Sequence, residues 1–428
     1  MSLFIGIDLG TSGCRAIAID DRGVVQGMAV RTLPKSVSKH PGQHEQDPKL
    51  WWDAVCDVLQ ELVQRISPGR SIAGLAVDGT SSTLLLTDPD GEPLTPGLMY
   101  NDTRSRDCLA LLERVAPPDS PVLSASSSLA KLLHLRRTRP HSECLALHQA
   151  DWIAGRLTGR YPVSDENNVL KLGYAPLERC WPDWIGALDI PSSCLPQVQP
   201  CGTLLGRLST QAAAETGLPP GIPVIAGTTD SNAAFIASGA RQIGDAVTSL
   251  GSTLVLKVLT DRPITDAPHG IYSHRLGELW LAGGASNSGG AVLRRYFSDA
   301  EMQRMSQDLN PQQTTGLDYY PLPARGERFP ENDPEKAPRL SPRPRDPVTF
   351  FQAMLEGIAK IEHQGYRRLQ EQGAPYPTRV FSMGGGAPNP GWCEIRQQYL
   401  QVPVLVADHQ EAAYGAALLA KQGVENYC

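Results

Sequence analysis

Apolar residues follow two rhythms along this chain, and their alternation predicts an α/β protein. Residues 3–7 and 16–19 read as strands, and between them lies Asp8-Leu9-Gly10-Thr11-Ser12-Gly13, so the opening segment is strand, tight turn, strand. Past the midpoint, strand patterns at 246–247 and 254–258 flank Ser249-Leu250-Gly251-Ser252-Thr253 in the same way. Asp47-Pro48 ahead of Trp52, Val55, Val58, Leu59, Leu62, Val63 and Ile66 supplies an N-cap, a proline at the first helical position and helical spacing. Strands are expected at 72–77 and 83–86, separated by Asp78-Gly79-Thr80-Ser81-Ser82. A short strand at 224–226 leads through Gly227-Thr228-Thr229-Asp230 into an alanine-rich helix. Prolines and charges dominate 317–347, which reads as a long surface excursion, and a helix over 350–369 follows. The tail gives a strand at 380–382, then Gly384-Gly385-Gly386-Ala387, then helices near 392–400 and 411–421 around a strand at 404–406. No repeat of solenoid period is visible, and the paired glycine turns are the one self-similarity.

Length changes the picture next. A chain of 428 residues exceeds what one hydrophobic core normally organises, so two domains are expected, 1–238 and 239–428, with a cleft suited to a small ligand. A net charge of −6 without a run of basic residues argues against a nucleic-acid partner. No stretch approaches the roughly 18 apolar residues of a membrane span, and Asp8 interrupts the first apolar run before a signal peptide could form. A small-molecule partner, no membrane partner and a cytoplasmic location are therefore expected. The nine cysteines are scattered without a CxxC pair and read as reduced thiols, with Cys180, Cys194 and Cys201 as ordinary packing. The sequence leaves the oligomeric state open.

Glycine frees such turns to take positive φ and lets backbone N–H groups converge, which with hydroxyls at Thr11 and Ser12 suits phosphate oxygens. A Walker A loop needs Gly-Lys-Ser/Thr before a helix and a dinucleotide turn needs GxGxxG opening one, whereas Gly10 to Gly13 is followed by the strand pattern Arg15-Ala16-Ile17-Ala18-Ile19. Asp8 has two readings: a turn residue bonded to nearby backbone, or a carboxylate that holds Mg²⁺ through water beside phosphates. Asp230 is either an N-cap or a general base that orients a hydroxyl and takes its proton during phosphoryl transfer. Gly384-Gly385-Gly386-Ala387 is either a turn into the next helix or a surface that a flat adenosine can approach. Asp78, Ser81, Asn101, Asp102 and Arg104 are solvated loop groups or, together, donors and acceptors for a polyhydroxylated substrate.

Together these segments resemble the FGGY carbohydrate kinases along nearly the whole chain. Beside the first turn, the resemblance is carried by Pro41-Gly42-Gln43-His44-Glu45-Gln46-Asp47-Pro48, Trp51-Trp52, Leu98-Met99-Tyr100-Asn101-Asp102-Thr103-Arg104 and Arg156-Leu157-Thr158-Gly159. Gly326-Glu327-Arg328-Phe329-Pro330, Leu355-Glu356-Gly357-Ile358, Gly384 to Trp392 and Glu411-Ala412-Ala413-Tyr414-Gly415-Ala416-Ala417 follow in the family's order. The resemblance implies two actin-like, ribonuclease H-like ATPase domains with a catalytic cleft between them. It implies ATP and Mg²⁺ as cofactors and phosphorylation of a sugar hydroxyl after the lobes close. It assigns catalysis to Asp230 and Asp8, with Asp8 also at the metal. Phosphate falls to Gly10, Thr11, Ser12 and Gly13 and to Gly251, Ser252 and Thr253. Adenosine falls to Gly384, Gly385, Gly386, Ala387 and Asn389, and the sugar to Asp8, Ser81, Asp102, Arg104 and Asp230.

The chain departs from the family where Lys131-Leu132-Leu133-His134 replaces the Lys-Leu-x-Trp of many members, and where Gln43 replaces a Trp common in xylulokinases. Its 77–83 stretch looks like that of the compact plant and cyanobacterial subgroup associated with D-ribulose, so D-ribulose is the expected acceptor. D-Xylulose or another polyol is the alternative within the class, and a non-catalytic sugar or nucleotide sensor is the alternative outside it.

Overall fold

The computed structural model describes residues 2–67, 69–138 and 143–427. Its contacts divide the chain into two units, 1–237 with 411–428, and 238–410. In the first unit, Ser2–Leu9 sits inside a six-stranded sheet. Gly13–Asp20 and then Val25–Thr32 fold back antiparallel on one side of it, and Ser71–Gly79 and then Pro223–Ile225 extend the other side in parallel. Leu204–Arg207 closes that edge antiparallel.

Side chains alternate across a strand, and each face of this sheet receives its own helix. Ile5, Ile7 and Leu9 point to the face covered by the helix Pro48–Arg65. Asp47 caps that helix, its carboxylate accepting the Lys49 N–H at 3.0 Å, with Pro48 at the first position as the sequence predicts. Trp51, Val55, Val58, Leu59 and Leu62 are wholly buried along its inner stripe. At about 1.5–3 kcal/mol for each such side chain, packing rather than propensity holds this helix in place.

Phe4 and Gly6 point to the opposite face, where the helix Ala412–Tyr427 lies. The approach is so close that a Cβ on Gly6 would fall 1.9 Å from the Ala413 carbonyl oxygen. This helix also packs on Asp230–Ala237, where a Cβ on Gly415 would fall 1.8 Å from the Ala233 carbonyl oxygen. The expected second domain, 239–428, therefore differs from the observed unit by its last helix. Its Ala- and Gly-rich face fits the first sheet, which chain order alone does not reveal.

The second unit carries its own sheet, in the order Tyr272–Leu276, Leu279–Ser286, Leu254–Thr260, Asp245–Leu250, Arg379–Met383, Val404–Val406. Neighbours up to Asp245–Leu250 are antiparallel, and the last two strands continue in parallel. Apart from one extra edge strand in each, both sheets share the order third, second, first, fourth, fifth. The self-similarity that the sequence shows only in the paired glycine turns extends through the strand order, and both turns join the first and second strands.

The helix Pro347–Glu371 packs on this second sheet. Residues 317–347 are no mere surface excursion: Tyr319, Tyr320, Leu322 and Phe329 are buried in the second core, with Phe329 against Gly284 and Gly365. The segment is a core-filling loop whose four apolar anchors follow neither a helical nor a strand period. No described helix is long and apolar enough to cross a membrane. The eight described cysteines form no disulfide, and Cys428 lies outside the described residues.

Candidate active site

Three adjacent parallel strands of the first sheet each lead into an aspartate. Asp8 is the penultimate residue of Ser2–Leu9, Asp78 is the penultimate residue of Ser71–Gly79, and the register sets the two side by side. Asp230 comes shortly after Pro223–Ile225 and opens the helix Asp230–Ala237, while Thr229 bridges Gly79 in parallel. The carboxyl ends of parallel strands are where open α/β sheets gather ligands.

The electrostatics of this group are unbalanced. Burial, followed by the charge of Asp230, pushes the Asp8 carboxyl up to about 6, against opposing effects of Asp78 and Arg15. Asp78 is wholly buried, and burial with the charges of Asp8 and Asp230 raises it well above the usual carboxylate range. Among the described residues neither Asp78 oxygen meets another N–H or O–H donor, and its carboxyl faces that of Asp8. Asp230 accepts the Ser231 N–H at 2.7 Å, at a helix N-terminus whose partial positive charge favours a carboxylate.

A cavity of about 400 Å³ opens beside these residues, lined by Thr11, Thr80, Ser81, Ser82, Tyr100, Ser126, Lys171 and Asp230. It brings together three sequence candidates, Thr11, Ser81 and Asp230. Sequence reasoning missed Thr80, Tyr100, Ser126 and Lys171, which come from loops far apart in the chain. Asp102 and Arg104 do not line it. Arg104 donates through Nη2 to Asp102 at 2.7 Å and through Nη1 to Glu45 at 2.6 Å, and the His44 N–H donates to Asp102 at 2.7 Å. With Asp102 wholly buried, these two groups hold the loop rather than face the cavity.

The first glycine turn closes where the Gly10 N–H donates to the Gly13 carbonyl at 2.9 Å, and Gln46 Nε2 donates to the Thr11 carbonyl at 2.9 Å. Against expectation, Gly10, Gly13 and Gly251 all avoid positive φ. Close approach explains Gly13 instead: a Cβ there would lie 2.8 Å from the Arg31 carbonyl oxygen.

In the second unit the second turn borders a larger cavity, about 980 Å³, whose lining includes Leu250, Gly251, Ser252, Gly290, Gly385, Gly386, Asn389 and Trp392. The Gly290 N–H donates to the Gly251 carbonyl at 2.8 Å, which packs a short helix against the turn. Gly384 has φ 83° and gives its N–H to Gln410 at 2.9 Å, so here glycine does supply a left-handed step. Asn389 caps the helix Pro390–Leu400 by accepting the Trp392 N–H at 3.0 Å. Thr253, Gly384 and Ala387 do not line the cavity, and Ala387 is wholly buried.

The second unit also holds a charged group of another kind. Arg396 donates to Glu362 through Nε at 2.6 Å and Nη2 at 2.8 Å and to Ser382 Oγ at 2.5 Å, and Thr248 Oγ1 donates to Glu362 at 2.5 Å. Arg396 and Glu362 are both wholly buried.

Known proteins resemble this chain over nearly its whole length. A xylulose kinase from Bacillus subtilis (strain 168) is 26% identical, covering 99% of this chain and 88% of its own. A glycerol kinase from Alkalilimnicola ehrlichii is 28% identical, covering 99% of this chain and 90% of its own. Among solved structures, a xyloylose kinase from Brucella ovis superimposes with a TM-score of 0.89 at 25% identity, covering 99% of this chain and 91% of that one. Residues 3–237 match the N-terminal domain, and residues 246–422 the C-terminal domain, of the FGGY family of carbohydrate kinases. On both halves, then, the chain belongs to the FGGY family of carbohydrate kinases.

Proposed function

We propose that the chain transfers the γ-phosphoryl group of ATP to the terminal hydroxyl of a ketopentose, D-ribulose giving D-ribulose 5-phosphate. The observation that carries this reading is the convergence of Asp8, Asp78 and Asp230 at the carboxyl ends of three neighbouring parallel strands, with Asp230 in a cavity walled by hydroxyls. Asp230 accepts a hydrogen bond from the sugar hydroxyl, aims its oxygen at phosphorus and takes its proton as the new O–P bond forms and ADP leaves. Positioning matters more than base strength in a loose transition state, so an ordinary carboxylate is sufficient. Ser81 and Asp8 hold the remaining hydroxyls. On the second unit, Gly251 and Ser252 face phosphate, and Gly385, Gly386 and Asn389 face adenosine.

Two facing carboxyls, one of which meets no other donor among the described residues, fit a divalent cation, and Asp8 is the residue assigned to Mg²⁺. Among the described residues no group of three or more His, Cys, Asp or Glu is arranged to hold a metal, so phosphate and water oxygens would have to supply the remaining ligands. When bound, the cation offsets charge on the phosphates.

D-Xylulose is the second reading, favoured by relatives named xylulose kinases at 25–26% identity. A site that pairs sugar hydroxyls can separate the two ketoses, which differ in one hydroxyl's direction. Comparing kcat/KM across D-ribulose, D-xylulose and a few polyols with ATP decides between them. Turnover with none would leave the sensor reading standing, and full turnover by Asp230→Ala would sink the base assignment.

A further inference from the structure

Lys131 sits on the helix Ser128–Thr138 with no part of its side chain exposed, yet it keeps its nitrogen. A buried ammonium is retained where its hydrogen bonds are needed, because an apolar side chain of the same length would be easier to bury. Its Nζ donates to the Ser82 carbonyl at 2.7 Å and to the Met99 carbonyl at 2.8 Å. Both acceptors adjoin the acceptor cavity: Ser82 follows Ser81 in its wall, and Met99 precedes Tyr100 in the same wall. Ser82 is also a non-glycine residue at φ 66°, a left-handed conformation that persists only where its surroundings impose it. The helix is anchored in turn, since Ser128 Oγ pairs with His148 Nε2 at 2.8 Å and His148 Nδ1 pairs with Asp151 at 2.9 Å. Lys131 is not itself in the cavity wall, so its effect passes through the two carbonyls.

We propose that Lys131 is a positioning residue for the acceptor sugar: its ammonium ties the Ser82 and Met99 carbonyls together and so sets Ser81 and Tyr100 against the substrate. This deepens the kinase reading and rests on it. Burial pulls the Lys131 ammonium down to about 7, with Asp102 opposing and Lys171 and Arg104 assisting, which agrees with a cation held by carbonyl dipoles rather than by a carboxylate.

The test is steady-state kinetics of wild type, Lys131→Met and Lys131→Ala with D-ribulose and ATP, beside thermal melts of each. Expected is a rise of tenfold or more in the sugar KM with the ATP KM within twofold, and recovery of most of the loss in Lys131→Ala when a small alkylammonium ion is added. A sugar KM within twofold of wild type in folded Lys131→Met would overturn the proposal. So would an equal loss for both substrates, or failure of both variants to fold, either of which makes Lys131 a stability element. Absence of turnover by wild type on any ketose or polyol would instead overturn the kinase reading and this inference with it.

Discussion

At the same place in two sheets of the same strand order, one half of the chain sets Asp8 beside Asp78, and the other sets Ser249 beside Met383. Topology gives both halves a turn between their first and second strands and a cavity near it. What differs is how buried charge is treated. In the first unit Asp8 and Asp78 lie side by side near Asp230, and burial with the charge of Asp230 raises the proton affinity of both. In the second unit Arg396 and Glu362 neutralise each other, and Thr248 and Ser382 complete their hydrogen bonds. Strand order decides where a site can form. The residues at the strand ends decide whether that place carries out chemistry or grips a ligand, and an unbalanced cluster marks the former.

The contrast breaks most directly at Asp230. Asp230→Ala is expected to lower kcat about a thousandfold, as loss of a general base does, while calorimetry finds ADP affinity unchanged. A retained rate would remove the distinction between the halves. Next comes the balanced cluster: Arg396→Met strands Glu362 in the interior and is expected to lose about 3–5 kcal/mol in urea unfolding. Adding Glu362→Leu to that variant should restore most of the loss, because no lone charge remains.

The unbalanced cluster predicts the opposite sign. The folded Asp8 carboxyl titrates near 6 against 3.8 when unperturbed, so its contribution to stability is fully present below about pH 4 and lost as pH climbs through 6. Asp8→Asn is therefore expected to be inactive yet more stable than wild type at pH 7, by about 3 kcal/mol, with the gap closing towards pH 4. A gap that ignores pH would mean that Asp8 is not destabilised by its neighbours. The smallest effect is at the second turn, where Ser252→Ala should raise the ATP KM about fivefold, the worth of one hydrogen bond, and leave the sugar KM alone.

Much of this was legible in the sequence because it is local. Asp47-Pro48 starts a helix, Asp8 ends a strand before a turn, and Asp230 opens a helix, each within a few residues of its own signal. What escaped depends on partners distant in the chain. Asp78 reads as one more polar loop residue until Ser71–Gly79 pairs in parallel with Ser2–Leu9 and brings Asp8 beside it. Asp102 and Arg104 look like a sugar-binding pair, but the structure shows them satisfying each other and Glu45. Lys131 matches a motif whose purpose appears only when the Ser82 and Met99 carbonyls meet its nitrogen. The role of the glycines in the first turn was misjudged for a related reason, since the strand that crowds Gly13 lies beyond the turn itself.

The return of residues 411–428 to the first unit has a consequence in time. Between the helix Asp230–Ala237 and the helix that braces it, a ribosome must make residues 238–410, which at about 5–20 residues per second takes on the order of ten seconds or more. The first unit is thus completed after the second. By the end of that interval the second unit has all its own strands, while Asp230 still waits on a helix whose neighbour does not yet exist. Synthesis order therefore leaves Asp230 without the helix that braces its own until residues 411–427 have been made.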